Sequence, residues 1–225
     1  MRIAILGTGM VGRSLAAGFA RVGHKVVIGT RDPAVTATRE VGSGTFAEWL
    51  ATVPGVDLHT SPEAAAQGQV VVNATNGEAS LAALTAAGEA NLAGKVLLDA
   101  ANPLDFAHGF PPTLSVCNTD SLAEQIQRQF PSAKVVKSLN TVNADVMVNP
   151  AHLGDGGTAM FVAGDDAEAK SVVADLLRDV GWRHILDLGG IDGARGMEMY
   201  LPLWLRLMQA TGTVGFNIAI VRTEG

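Results

Sequence analysis

The chain has 225 residues, 48% hydrophobic and 17% charged, with 26 glycines and a formal net charge of −6. Such a balance suits a chain that buries a sizeable core, and it excludes a disordered or fibrous one. An acidic total without any Lys/Arg cluster also argues against nucleic acid as a partner.

The run Met1-Arg2-Ile3-Ala4-Ile5-Leu6 predicts a first strand over 2–6. Glycines follow at once, so the run is too short for a secretory leader, and no apolar stretch reaches the ~20 residues of a membrane span. A cytoplasmic protein without membrane attachment is expected. Gly7, Gly9 and Gly12 then fit G-x-G-x-x-G. They close a strand, open a helix predicted over 11–22, and precede a second strand at 25–29. That βαβ context is what a dinucleotide-binding turn requires. Gly7 allows the tight turn, Gly9 lets backbone approach a pyrophosphate, and Gly12 lets helix and strand pack closely. Backbone N–H groups of Thr8, Met10 and Val11 can face the phosphates at the helix N-terminus.

At the end of the second strand, a carboxylate would bind both ribose hydroxyls and repel a 2′-phosphate. The chain offers Thr30 and Arg31 instead, a hydroxyl and a planar phosphate partner. NADP(H) is therefore expected rather than NAD(H). Asp32 precedes Pro33 and reads as a turn or cap residue.

Further strands are predicted near 56–59, 69–74, 95–100, 133–138, 159–163 and 184–188. Helices fit 62–66, 78–89, 120–129, 166–180 and 193–212. Mostly unbroken apolar strands alternating with helices predict an α/β, Rossmann-type doubly wound, mainly parallel sheet. The expectation is a single dinucleotide-binding domain over 1–225, with 190–225 as a C-terminal helical extension. In "FVAGDDAEAK", Asp165 or Asp166 reads as a helix cap rather than a metal ligand, and no metal site is expected.

Ligands of an open parallel sheet lie beyond the carboxyl ends of its strands. Those ends read "NATNGE", "DAANPLD" and "SLNTVNAD". They hold amides and hydroxyls, with neither a Tyr-x-x-x-Lys pair nor a His–Asp relay. Asn76, Asn102 and Asn140 are therefore candidates for orienting a substrate, and no acid–base residue is assigned. Such a pocket suits direct hydride transfer between two flat rings, which depends on proximity and orientation. The long loop 102–118 carries His108, a candidate acid or a plain loop residue. Lys137 is expected at a surface or edge, and Cys117, the one cysteine, as a small, partly buried hydrophobe. The last helix is apolar nearly all round from Met197 to Met208, so burial under the sheet or between subunits is expected. Tyr200, Trp204 and Met208 share one stripe, and Pro202 predicts a kink.

Over nearly its whole length the chain resembles the NADP oxidoreductases dependent on the deazaflavin coenzyme F420. The likeness rests on the glycine motif, Gly-Thr-Arg after the second strand, "KVVKSLNTVNAD", "FVAGDDAEAK" and the apolar last helix. The chain is similar over the same motifs to the reductase domain of six-transmembrane metalloreductases. Where the deazaflavin enzymes carry a His-Thr-x-Pro-like segment, this chain reads Asn140-Thr141-Val142-Asn143. The metalloreductases share the Asn-Thr, which implies a wider tolerance for flavins. The resemblance implies an NADPH-dependent oxidoreductase passing hydride between NADP(H) and coenzyme F420 or FMN/FAD. Thr8, Met10 and Val11 match the pyrophosphate turn and Thr30 and Arg31 the 2′-phosphate site. Thr75, Asn76, Ala101, Asn102 and Asn140 match the place where nicotinamide and acceptor meet. A homodimer whose partners are small redox cofactors is expected. Two alternatives stay open: a reductase of a small carbonyl or imine, and a non-catalytic NADPH-sensing module.

Overall fold

The structure is a computed structural model that describes residues 1–153 and 157–223. In chain order it runs β1 (Arg2–Leu6), α1 (Met10–Arg21), β2 (Lys25–Thr30), α2 (Pro33–Thr38), β3 (Glu40–Val41), β4 (Gly44–Thr45), α3 (Phe46–Ala51), β5 (Val56–Thr60), α4 (Ser61–Gln67), β6 (Val70–Asn73), α5 (Gly77–Ala87) and α6 (Glu89–Leu92). It continues through β7 (Val96–Asp99), β8 (Leu104–Asp105), β9 (Thr113–Leu114), α7 (Leu122–Gln129), β10 (Lys134–Ser138), α8 (Ala144–Val148), β11 (Ala159–Ala163), α9 (Ala167–Asp179), β12 (His184–Asp187), α10 (Ala194–Met199) and α11 (Leu201–Thr211).

Eight strands form one sheet in the order β12-β11-β10-β7-β6-β1-β2-β5. The six from β5 to β10 are parallel, and β11 pairs antiparallel to β10 while β12 runs parallel to β11. The mainly parallel, doubly wound sheet is as expected. The chain crosses from one side of β1 to the other between β5 and β6, so the crevice beyond the end of β1 is the ligand position of such folds.

The period of two in a strand explains the continuous apolar runs. Ile3, Ile5, Val26, Ile28, Val70, Val72, Leu98 and Val136 face one core, shared with Leu15, Phe19, Val173, Leu177 and Trp182. Ala4, Leu6, Val27, Val71, Leu97 and Val135 face the other, against Ala64, Leu84, Leu122 and Ile126.

The eight long strands fall where the sequence places them, within a residue or so. Short elements were missed. Helices α2, α3 and α8 have five or six residues, too few to show a helical period. The hairpins β3–β4 and β8–β9 have two-residue strands. Asp166 caps α9 by accepting from the Ala169 N–H at 2.8 Å, and Asp165 accepts from Ile191.

The final helix breaks where the sequence predicts a kink, and part of its apolar face stays open in the single chain. Pro202 divides it into α10 and α11 at Tyr200, as its missing N–H requires. The apolar face is also only partly covered. Leu201 and Leu205 are buried, but Leu203 is 55% exposed, and Tyr200, Trp204 and Met208 are half-buried. The segment after α11 turns back so that Phe216 stacks on Trp204 and Ile218 accepts from the Ala159 N–H.

Candidate functional site

Beyond the end of β1 lies a cleft of about 940 Å³. Gly7, Thr8, Gly9, Thr30, Arg31, Thr75 and Asn76 line it together, so most of the expected nucleotide residues share one cavity. Met10, Val11, Gly12, Ala101, Asn102 and Asn140 lie outside this lining.

The three motif glycines have different physical reasons. Gly7 has φ +126°, and a Cβ there would collide with the Ala74 carbonyl. A Cβ on Gly12 would run into the carbonyl oxygen of Gly7, so helix and turn could not approach. Gly9 differs, because a Cβ there would meet no protein atom within 4 Å. Its extended backbone (φ −74°, ψ −170°) asks for no glycine either. The space above Gly9 is open at the first turn of α1, whose unpaired N–H groups can receive an anion. Helix α1 has no side-chain cap on this end.

At the rim, the Thr30 hydroxyl pairs with that of Thr36 at 2.7 Å. Arg31 is exposed and makes no hydrogen bond or ion pair among the described residues. Asp32 is the N-cap of α2 and accepts from the Val35 N–H at 3.0 Å, the cap role its sequence position suggests. Two features of the wall were not foreseen. Arg39 reaches back from behind α2 and donates to the Thr8 carbonyl oxygen at 2.7 Å. Ala79, Ala82, Ala83 and Ala86 of α5 form a flat floor. Their i, i+3, i+4, i+7 spacing was a usable signal, whereas nothing in the sequence marks Arg39.

Below the cleft the polar residues at the strand ends form one buried network. Thr75 donates its hydroxyl to Asn73 Oδ1 at 2.7 Å, and Asn73 Nδ2 donates to Asp99 Oδ1 at 2.8 Å. Lys137 Nζ lies 2.8 Å from Asp99 Oδ2 and 2.7 Å from Glu198 Oε1. The expected surface or edge position for Lys137 is thus overturned, since its side chain is fully buried. Two carboxylates brought in by β7 and α10 make that burial tolerable. Burial alone would lower the ammonium's pKa, but Asp99 and Glu198 outweigh it and hold it above its ordinary value. Glu198 also accepts from the Leu122 and Ala123 N–H groups at the start of α7.

The three asparagines divide. Asn76 caps α5, accepting from the Glu78 N–H at 3.3 Å, so its side chain is occupied structurally at the cleft edge. Asn102 and Asn140 form a reciprocal pair. Asn102 Nδ2 donates to the Asn140 carbonyl and Asn140 Nδ2 to Asn102 Oδ1, both at 2.9 Å. Asn140 also donates to the Met197 carbonyl of α10. Ala101 is buried above Lys137, which donates to its carbonyl. His108 is exposed in the hairpin loop. Cys117 is exposed rather than partly buried, because the loop carrying it runs along the surface. Among the described residues no helix is long and apolar enough to cross a membrane.

Comparisons with known proteins show the family. The family model described as NADP oxidoreductase, coenzyme F420-dependent, matches residues 2–103. An F420-dependent NADP reductase of Methanothermobacter marburgensis is 30% identical over 213 residues, 92% of both chains. Metalloreductase STEAP3 of Rattus norvegicus is 31% identical over 209 residues; these are 90% of this chain but 38% of that protein's length. A crystallised chain from Arthrobacter sp. FB24, provisionally named an F420-dependent NADP reductase, is 55% identical. It superposes with a TM-score of 0.95 over 99% of this chain and 100% of that one. The glycine turn, the strand-end Thr30-Arg31 and the full-length likeness lead to one assignment: this chain belongs to the coenzyme F420-dependent NADP oxidoreductase family, and it is an oxidoreductase.

Proposed function

We propose that the chain moves a hydride between NADP(H) and the ring of a deazaflavin, coenzyme F420, or of a flavin. The observation that carries this reading is the cleft, which joins an unpaired guanidinium at the end of β2 to an open glycine turn and then to Thr75. The residues fit the nucleotide. Gly9 leaves room for the pyrophosphate over the N-terminus of α1. Thr30 and Arg31 supply a hydroxyl and a positive charge for the 2′-phosphate, and the alanine floor of α5 offers an apolar surface to the adenosine.

When bound, NADPH supplies the hydride. The chain's own residues bind and orient. Thr75 is fixed by Asn73, and Asn73 by Asp99, so the hydroxyl at the inner end of the cleft cannot swing. The Asn102–Asn140 pair ties the ends of β7 and β10 to α10 and gives the acceptor side a rigid polar edge. Direct transfer between two rings needs no side-chain base, and contact distance and alignment supply most of the acceleration. On this reading residues 1–225 act as one nucleotide-binding unit in the cytoplasm. The half-covered face of α10 and α11 is where a second copy would pack.

The test is NADPH oxidation with coenzyme F420 and FMN as separate acceptors, and NADH in parallel. Turnover with NADPH and F420 is the expected result, and turnover with FMN alone makes the chain a flavin reductase. Tight NADPH binding with no turnover on either acceptor overturns the hydride-transfer reading.

A further inference from the structure

Two guanidiniums line the cleft at the end of β2, and a third lies close enough to one of them to feel its charge. Arg31 stands at the strand end, Arg39 follows α2, and Arg13 lies on α1 with its Cζ 5.9 Å from the Trp49 ring centroid. Among the described residues none of the three forms an ion pair with a carboxylate. The nearby Asp32 is engaged in capping α2. Burial and the neighbouring charge of Arg39 both lower the pKa of Arg13. In a chain of net charge −6, this is a local excess of positive charge that the fold leaves uncompensated.

Arg39 differs from Arg31 in being held. Its Nη2 donates to the Thr8 carbonyl, and its Cζ lies 5.8 Å over the ring of Phe46, which is fully buried. Phe46 is in turn fixed at the start of α3, where Thr45 and Glu48 form a capping box. With one nitrogen committed, Nε and Nη1 remain free to donate at the cleft wall. A guanidinium already restrained loses less side-chain freedom when it grips an anion than an unrestrained one does.

We propose that Arg39 is a specificity-determining residue that grips the 2′-phosphate of NADP(H) from the side opposite Thr30 and Arg31. This rests on the reading of the cleft as the NADP(H) site. A dianionic phosphate placed there relieves the repulsion between Arg39 and Arg13, and the bare ribose diol of NADH does not. Arg39 therefore contributes to the choice of nucleotide as well as to its affinity.

The test is calorimetric titration of two acceptor-independent probes, adenosine 2′,5′-bisphosphate and 5′-AMP, at one ionic strength. The native chain binds the bisphosphate more tightly. Arg39→Met weakens the bisphosphate about 10- to 100-fold, the value of a lost charge-assisted hydrogen bond, and leaves 5′-AMP unchanged. Arg39→Lys recovers only part of the preference, because a point charge lacks the planar fork. Thermal melts check folding, and if Arg39→Met does not fold the same ratio is read from Arg39→Lys. Equal losses on both probes place Arg39 at the adenine or the turn and overturn the proposal, as does an unchanged bisphosphate affinity. A native chain that fails to distinguish the probes overturns the NADP(H) reading itself.

Discussion

Lys137 on β10 and Glu198 on α10 meet at 2.7 Å with both side chains sealed from solvent, and Asp99 holds the same ammonium from β7. Removing the lysine leaves two buried carboxylates without their cation. Lys137→Met is therefore expected to cost about 3–5 kcal/mol and to lower Tm by about 10 °C. Adding Glu198→Gln to that variant removes one stranded charge, so the double variant should melt above the additive expectation. Thermal denaturation of the two single variants and the double variant measures the coupling, and strict additivity would sink the network.

The glycine turn yields a dissociation of stability from binding. Gly12→Ala forces a methyl against the Gly7 carbonyl, so the ligand-free protein should lose several degrees in Tm. Gly9→Ala meets no protein atom and should melt within a few degrees of the native chain, the residual cost being a poorer N-cap. Its NADPH affinity should fall by more than tenfold, because the methyl occupies the space left for the pyrophosphate. Equal stability losses in the two variants would contradict the assignment of that space.

Asp32 separates cap from charge. Asp32→Ala removes the acceptor for the Val35 N–H and should cost about 1 kcal/mol in chemical denaturation. Asp32→Asn keeps the cap and should retain native stability. It should also keep or strengthen the preference for NADPH over NADH, since no carboxylate then faces the phosphate. A preference for NADH in Asp32→Asn would show that the carboxylate had another role.

The pH dependence has a defined window at the start of α7. Arg128 donates two hydrogen bonds to Asp120, at 2.9 and 2.8 Å, and holds its carboxyl at about 2, below the ordinary 3.8. A carboxyl whose folded pKa is depressed stabilises the fold above its unfolded pKa, and that contribution is lost as pH falls toward the folded value. Asp120→Asn should therefore be less stable than the native chain by about 1 kcal/mol at pH 7, allowing for solvent screening. The two should converge near pH 2. Urea midpoints at both ends check it, and a constant gap would refute the ion pair as its cause.

The inner strands were legible because each carries a short continuous apolar run, as burial on both faces demands, while the edge strands β5 and β12 showed only short apolar stretches between polar residues. The glycine turn was legible because three spaced residues encode both a turn and a close approach. Lys137 was not, since its partners come from β7 and α10 and no local pattern announces a lysine's carboxylates at such sequence distance. Arg39 escaped for the same reason, its acceptor being a backbone carbonyl in the first turn of the fold. Asn76, Asn102 and Asn140 looked alike in sequence, but only the latter two pair with each other across the strand ends. Whether an asparagine caps a helix or spans two strands depends on which backbone lies opposite, and this is a tertiary property.

Glu198 closes more than one joint. The same carboxylate that meets Lys137 also receives the first N–H groups of α7, so a residue of α10 completes the ends of two other elements. Releasing α10 would take from the Lys137 ammonium one of its two carboxylates and leave two amide donors without their acceptor in the interior. The amides of α10 should therefore exchange with solvent only through the opening that also bares β10, in one cooperative unit, although the helix lies near the end of the described chain and would otherwise be free to fray.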